Sequence, residues 1–144
     1  MSPKYRYIEW LSAEEMHESS ILWFSTLKFI RDEQLFLNNL VKSYTLQLVD
    51  SKIFEESKRT IAALQSLERD LVSLFKKVQA HENQLEIMTD DIDQLKMERA
   101  YIETHKELQL SMHEYEKRYR EIKEKLFGLI SGILKKSKQK RLLN

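Results

Sequence analysis

The stretch TDDIDQLKMERAYIETHKELQLSMHEYEKRYREIKEKLFGLISGILKK, residues 89–136, decides the fold class. Apolar and aromatic side chains recur through it in alternating steps of four and three residues. The members of this seam are Tyr101, His105, Leu108, Met112, Tyr115, Tyr119, Ile122, Leu126, Leu129 and Ile133. A heptad seam of this kind predicts a long helix that packs against other helices along its length.

Residues that break helices are almost absent from the rest of the chain. The 144 residues contain one proline, Pro3, and two glycines, Gly128 and Gly132. Sheets and tight hairpins normally need more glycine and proline residues in their turns. With 42% hydrophobic residues the chain is also too apolar for a disordered protein. The composition therefore predicts an all-α fold.

Two earlier seams predict two more helices. The first helix is expected over residues 13–49, with its seam at Met16, Ser20, Trp23, Leu27, Ile30, Gln34, Leu37, Val41, Tyr44 and Leu48. A second apolar stripe runs beside it at Leu22, Phe29, Phe36 and Leu40, and the combined width predicts contact with at least two other helices. The second helix is expected over residues 53–88, with its seam at Ile53, Ser57, Ile61, Leu64, Leu67, Leu71, Leu74, Val78, His81, Leu85 and Met88.

The two helix boundaries differ in clarity. The first falls at residues 50–52, because the seam steps by five residues from Leu48 to Ile53. At the second, Thr89 is a good N-cap residue followed by two acids, but the preceding seam continues in phase through Ile92. The sequence therefore leaves two architectures open.

The favoured architecture is an elongated antiparallel three-helix bundle that forms a single helical domain over residues 1–144. Its parts are a lead-in at 1–11, helices at 13–49, 53–88 and 90–136, and a basic tail at 137–144. The alternative is a helical hairpin in which one helix of roughly 80 residues, about 120 Å long, dimerises as a coiled coil.

Several function classes find no support in the sequence. The absence of cysteine excludes disulfide scaffolds and thiolate sites. No phosphate-binding loop, nucleophile elbow or His-Glu-x-x-His motif occurs, so we expect no enzyme activity and no cofactor. The N-terminus leads into no apolar signal segment, and no apolar run reaches the length of a membrane span. A cytoplasmic location is the expectation, with a peripheral membrane location as the alternative.

Four residues are candidate metal ligands, although no bound metal is expected. Glu14 and His17 have the i, i+3 spacing of ligands in di-iron helical bundles. Folding the three predicted helices together places His81 and Glu98 at the same end of the bundle. Nitrogen and carboxylate ligands suit zinc or iron. The alternative is a layer of hydrogen-bonded polar residues. His105 in the third seam is expected to be a hydrogen-bonded core histidine.

The C-terminal stretch carries more apolar and basic surface than the bundle needs. Residues 121–144 contain seven Lys and Arg against two Glu, a net charge of +5, which leaves −4 for the remainder because the whole chain carries +1. The candidate contact residues are Phe127, Ile130, Leu134, Lys135, Lys136, Lys138, Lys140 and Arg141. Apolar residues followed by cations suit an anionic surface.

We therefore expect a non-enzymatic helical interaction or scaffold module, which presents surfaces along a rod and uses its basic amphipathic C-terminus as a contact element. The expected partner is another protein or a second copy of the chain. A peripheral membrane protein that binds through residues 123–141 is one alternative, and a metal-binding helical bundle is another. Nucleic acid is the least favoured partner, because the body is acidic and the basic patch is short.

Overall fold

The computed structural model describes residues 13–50, 52–88 and 94–143, and within these ranges it describes no side chain at 86–88 or 94–96. Four helices account for most of this part of the chain: α1 (Ala13–Ser43), α2 (Thr45–Leu48), α3 (Phe54–Met88) and α4 (Gln94–Leu143). The described residues contain no strand, so the predicted all-α class is confirmed. The predicted lead-in, residues 1–11, lies outside the described residues.

The first predicted helix ends earlier than expected, at Ser43 instead of residue 49. Here the hydroxyl of Ser43 donates to the carbonyl of Asn39, and that of Thr45 donates to the carbonyl of Val41. Hydroxyls that bond back to the helix in this way compete with its ladder and often bend it. The chain resumes as the short α2, and the Asp50 carboxylate then accepts the Lys52 N–H at 3.1 Å in the predicted turn.

The alternative with one continuous helix of roughly 80 residues is wrong. The predicted join lies at 89–93, outside the described residues. A contact between the helices before and after it shows that the two helices are separate. Nε2 of His81 and Nδ1 of His105 are 3.0 Å apart although 24 residues separate them in sequence. In one straight helix the same residues would be about 36 Å apart. Helices α3 and α4 are therefore separate and pack side by side.

The chain divides into two compact units that take different parts of these helices. Unit 1 comprises the described residues up to Ile30 together with Leu71–Glu114. Within it, His17 contacts Glu82 and Phe24 contacts Phe75, so α1 and α3 run antiparallel. Met16 packs with Tyr101 and Trp23 with His105, so α1 and α4 run parallel.

Unit 2 comprises Arg31–Asp70 and the described residues from Tyr115 onward. Its three helical segments are joined by polar contacts. The Asn38 amide donates to the Glu68 carboxylate, and Tyr115 is bonded to both neighbouring helices. The guanidinium of Arg118 donates to the Asp70 carboxylate at 2.8 Å. Three helical segments therefore meet in unit 2 as they do in unit 1, whereas the predicted elongated shape stays a prediction.

The predicted seams form most of the core. Their fully or nearly fully buried members are Met16, Ser20, Leu27, Ile30, Gln34, Leu37, Leu48, Ser57, Leu64, Leu67, Leu71, Leu74, Val78, His81, Tyr101, His105, Leu108, Met112, Tyr115, Tyr119, Leu126 and Ile133. Burial of each large apolar side chain contributes roughly 1.5–3 kcal/mol. The regular spacing of the seams thus identified the core correctly.

The second apolar stripe of α1 was predicted wrongly. Leu22, Phe29 and Phe36 are exposed, and only Leu40 is partly buried. Each of the three exposed residues directly precedes a seam residue, which places it about 100° around the helix from the seam. The seam alone reaches both α3 and α4 in unit 1, where Trp23 contacts His81 and His105. Contact with two helices is therefore made without the stripe.

The C-terminal boundary also differs from the prediction. Helix α4 continues past residue 136 to Leu143, so most of the predicted tail at 137–144 is helical. No glycine or proline follows Gly132, and lysine, arginine, glutamine and leucine are good helix formers. Lys140 and Arg141 in the last turn also interact favourably with the negative end of the helix dipole. Asn144 lies outside the described residues.

Candidate functional site

The end of α4 presents apolar and cationic side chains together. Leu134 is 50% exposed, Leu142 is 77% exposed and Leu143 is 87% exposed. All five predicted cations are exposed too: Lys135, Lys136, Lys138, Lys140 and Arg141. No ion pair within the described residues involves any of them. We call residues 134–143 the basic end of α4.

Ile130 was assigned wrongly to this contact surface. It is only 4% exposed and belongs to the core, whereas Phe127 is 40% exposed. A straight helix drifts by about 20° per heptad relative to a strict seven-residue repeat. By the fourth heptad after Tyr101 the buried position has therefore moved from Leu129, which is partly exposed, toward Ile130.

One face of α4 combines apolar side chains with cations. Phe127, Leu134, Lys138 and Arg141 follow one another at intervals of seven, four and three residues. Residues spaced in this way lie on the same side of a helix. All four are exposed, so two apolar side chains continue into two cations along one face of α4.

The predicted metal ligands do not assemble. Glu14 and Glu98 are exposed, His17 pairs with Glu82, and His81 pairs with His105. Among the described residues no group of three or more His, Cys, Asp or Glu side chains is placed to hold a metal ion. The proposed ligand set is therefore wrong, because each histidine meets a nearer partner on the neighbouring helix.

Instead, unit 1 contains a buried histidine pair that the sequence did not reveal. His81 from α3 and His105 from α4 share a hydrogen bond. The sequence predicted a hydrogen-bonded His105 in the core but did not identify its partner. The ring of Tyr101 stacks on His81 at a centroid distance of 3.9 Å. The ring of Trp23 stacks on His105 at 4.6 Å. Two aromatic rings therefore enclose the pair.

The surroundings keep both histidines neutral. Burial and the neighbouring His105 lower the pKa of His81 to about 4. Burial also lowers the pKa of His105, although the negative charge of Glu82 opposes the change. The hydrogen bond needs at least one of the two rings to be neutral, because one of the facing nitrogens has to accept the proton that the other donates.

Three buried polar atoms in unit 1 have no hydrogen-bond partner within the described residues. They are Nδ1 of His81, Oε1 of Glu82 and the hydroxyl of Tyr101. Burial, together with the charge of Glu82, raises the pKa of Tyr101 to about 12. Buried polar groups are normally paired with protein or water. The cluster therefore has unused hydrogen-bonding capacity, but too few ligands for a metal.

The histidine pair is hard to identify from the sequence because both histidines lie in apolar seams. His81 and His105 each occupy a heptad position that Leu or Ile would also fill. The only available signal was that two histidines fall in adjacent seams, and their pairing depends on the register between α3 and α4. The sequence left the join between these two helices ambiguous, so it did not specify that register.

The exposed stripe of α1 is a second surface with unused apolar groups. In unit 1, Leu22 is 66% exposed and Phe29 is 62% exposed. In unit 2, Leu35 and Phe36 of the same helix are exposed as well. Single exposed apolar residues are ordinary, but large ones that recur on one helix are typical of protein-interaction surfaces.

None of the helices in the described ranges combines the length and apolar character that a bilayer-crossing segment requires. Comparisons of the chain with protein-family models, with curated proteins and with solved structures give no match.

Proposed function

We propose that this chain is a non-enzymatic helical interaction module whose contact element is the basic end of α4. The observation that carries the proposal is that α4 stays helical to Leu143 while its last turns display exposed leucines and unpaired cations. In the rest of α4 most of the apolar seam is buried, whereas these last leucines are at least half exposed and therefore add little to the stability of the fold.

The partner of this surface is anionic. From Lys125 onward the chain contains no acidic residue, whereas six cations lie at 125–141. Cations clustered at one end of a helix attract acidic surfaces at a distance and lose that attraction as salt is added. The exposed leucines then supply the short-range apolar contact that keeps the partner bound.

The first candidate partner is an acidic protein surface, and the exposed stripe of α1 favours it. Phe29 and Phe36 have the aromatic character that is enriched at the centre of protein interfaces. A module with one apolar surface and one basic surface can contact two proteins at once, which is what a scaffold does. Self-association through the α1 stripe belongs to the same candidate.

The second candidate is an anionic membrane, favoured by the face that joins Phe127 and Leu134 to Lys138 and Arg141. Interfacial helices place apolar side chains at the acyl boundary and cations at the headgroups. Each lysine or arginine near an anionic leaflet contributes about 1 kcal/mol of binding free energy. The peripheral membrane location predicted from the sequence rests on this candidate.

Flotation with vesicles separates the two candidates. The full chain is mixed with vesicles containing phosphatidylserine or phosphatidylcholine alone, and a parallel pull-down uses immobilised polyglutamate. A membrane-binding protein floats with the anionic vesicles and is released by salt. A protein-binding module is retained by polyglutamate without floating.

A charge-neutralised variant tests the contact element itself. In this variant Lys135, Lys136, Lys138 and Lys140 are replaced by Gln. We expect both kinds of binding to weaken by at least a hundredfold, since about 1 kcal/mol is lost for each cation near an anionic surface.

The matched control for that variant removes the same charge from elsewhere. Lys28, Lys42, Lys76 and Lys117 are exposed and lie outside the basic end. Replacing these four by Gln is expected to leave binding within about threefold, because the contact depends on local charge. Equal weakening in both variants would show that net charge alone drives the binding, and the proposed contact element would be wrong.

A further inference from the structure

A pocket of about 360 Å³ lies beside the turn between α2 and α3 in unit 2. Apolar side chains form most of its wall, namely Val41, Leu48, Val49, Phe54, Ile61 and Ala62. Small-molecule pockets have volumes of roughly 300–1,000 Å³ and combine apolar walls with a few polar groups. The size and the lining of this pocket both fall within that class.

One polar group in the wall has no partner. Ser57 is 2% exposed, and its buried hydroxyl forms no hydrogen bond with any described residue. Other buried hydroxyls on these helices behave differently. Ser20 donates to the carbonyl of Met16 at 3.1 Å, and Thr60 donates to that of Glu56 at 2.9 Å. Ser57 therefore retains an unused donor, which rotation about its Cα–Cβ bond can turn toward a ligand in the pocket that the residue lines.

The second polar group that matters is Lys58, which is exposed and also lines the pocket. Its Nζ lies 6.0 Å from the centroid of the Phe54 ring, so the ammonium group is close to the apolar wall. No ion pair of the described residues neutralises it. The hydroxyl of Thr45, by contrast, already donates to the carbonyls of Val41 and Lys42.

We propose that this pocket binds a small amphiphile with an aliphatic body and a carboxylate head, such as a medium-chain fatty acid. The aliphatic body contacts the apolar wall, the carboxylate pairs with Lys58, and the Ser57 hydroxyl donates a hydrogen bond to the ligand. A cavity of about 150 Å³ accommodates benzene. The pocket therefore has room for an apolar body about twice that size.

The occupant follows from the chemistry of the lining. A purely apolar molecule would leave the Ser57 hydroxyl unpaired and gain nothing from Lys58. A cationic amphiphile would be repelled by Lys58. A carboxylate accepts hydrogen bonds from both groups, and charge-assisted hydrogen bonds are stronger than neutral ones.

The probe is decanoate, titrated below its micellar concentration into the full chain while methyl resonances are followed by NMR. We expect saturable shifts at Val41, Leu48 and Ile61. Decanol, which has the same aliphatic chain without the charge, is expected to bind about two- to fivefold more weakly than decanoate. Decanoate is expected to bind Lys58→Gln more weakly than the wild type by the same factor. Ser57→Ala is expected to weaken decanoate about two- to tenfold.

A filling variant identifies the site. Ala62 is an exposed residue in the pocket wall, so Ala62→Phe occupies the space with little expected strain, and decanoate binding should be lost. The matched control is Ala80→Phe, a change on the same helix at a pocket of about 300 Å³ in unit 1. Decanoate affinity should be retained in that control.

Any of four results would overturn the proposal. Absence of saturable shifts would show that the pocket takes no such ligand, and unchanged affinity in Ala62→Phe would place the ligand elsewhere. A dimer in solution that Ala62→Phe dissociates would assign the pocket to a second copy of the chain. If Ala62→Phe does not fold, the comparison of decanoate with decanol replaces it. Equal affinities for the two molecules, both unchanged in Lys58→Gln, would also overturn the proposal.

Discussion

Helix α4 contains two kinds of apolar residue, which differ in what they contact. From Tyr101 to Ile133 most of its seam is buried against α1 and α3 within each unit, and several of its polar side chains are hydrogen-bonded to those helices. In the basic end, from Leu134 to Leu143, comparable leucines are exposed among cations. Helical continuity and core membership are therefore separate properties, because α4 continues well beyond Ile133, the last of its described residues that is buried.

The largest expected effect comes from truncating a residue in the buried part of α4. Tyr115→Ala should lower the free energy of unfolding by about 3–5 kcal/mol, because it removes a 1% exposed ring and leaves a cavity. Leu142→Ala, in the basic end, should change it by less than about 0.5 kcal/mol. Urea unfolding measures both. Similar losses in the two variants would show that the basic end is part of the core.

Acid should destabilise the chain through the histidine pair. The pKa of His81, about 4, lies below its ordinary value of 6.5, so the unfolded state binds more protons as the pH falls below about 6.5. Stability is thus fully present above pH 6.5 and declines below it. Between pH 7 and pH 5 we expect a loss of roughly 2 kcal/mol, measured by urea unfolding at each pH.

The groups that face the pair allow this pH effect to be isolated. Glu82 on α3 and Tyr101 on α4 act on the pair, while Glu82 also binds His17 on α1. The double variant His81→Gln/His105→Gln keeps hydrogen-bonding groups without titrating, so its stability should change little over this range. His113→Gln, at an exposed histidine, should retain the wild-type pH dependence. If the double variant kept the pH dependence and His113→Gln lost it, the histidine pair would not be its cause.

Two tyrosine hydroxyls should differ in their contribution to stability. The Tyr115 hydroxyl donates to the Leu67 carbonyl at 2.7 Å and accepts from the Gln34 amide at 3.1 Å. Tyr115→Phe leaves the buried Gln34 amide without this partner and removes the second hydrogen bond of the Leu67 carbonyl, which keeps its bond within α3, so the change should cost about 1–3 kcal/mol. The Tyr101 hydroxyl is buried near the Ser20 hydroxyl but forms no well-aligned hydrogen bond with a described residue, and Ser20 donates to the Met16 carbonyl, so Tyr101→Phe should be close to neutral or stabilising. Thermal unfolding of the two variants makes the comparison, and a clear loss in Tyr101→Phe would show that its hydroxyl is bonded, for example to a buried water.

The smallest effect on stability should accompany a large effect on binding. Leu134→Ser changes a half-exposed residue in the basic end and should alter the free energy of unfolding by less than about 0.5 kcal/mol. If the leucine contacts a partner, flotation or polyglutamate retention should weaken severalfold in the same variant. Weakening without destabilisation would separate binding from folding at this position.

The sequence predicted the parts of the fold that depend on periodicity. The buried seams of α1, α3 and α4 follow from apolar spacing, since the same spacing decides which side of a helix can be buried. Periodicity did not show how wide the buried face is, so Leu22, Phe29 and Phe36 were assigned to the core although they are exposed. The width depends on how closely the neighbouring helices approach, which no local pattern specifies.

Predictions of individual sites were less successful, because they depended on register between helices. The grouping of Glu14, His17, His81 and Glu98 assumed that residues at one end of a bundle meet. The observed partners are Glu82 for His17 and His105 for His81. The exposure of the cations in the basic end could be predicted residue by residue, because Lys and Arg are almost never buried without a partner. The burial of Ile130 could not, because it depends on the drift of α4 relative to the seven-residue repeat.

We claim one contact element for this chain, the basic end of α4. Backbone amide hydrogen exchange of the full chain, measured with and without phosphatidylserine vesicles or polyglutamate, reports on this segment itself. The claim predicts that protection rises at residues 134–143 with at least one of these acidic surfaces, and that this rise is lost when Lys135, Lys136, Lys138 and Lys140 are replaced by Gln. Unchanged protection at residues 134–143, with protection rising at the exposed stripe of α1 instead, would contradict the claim.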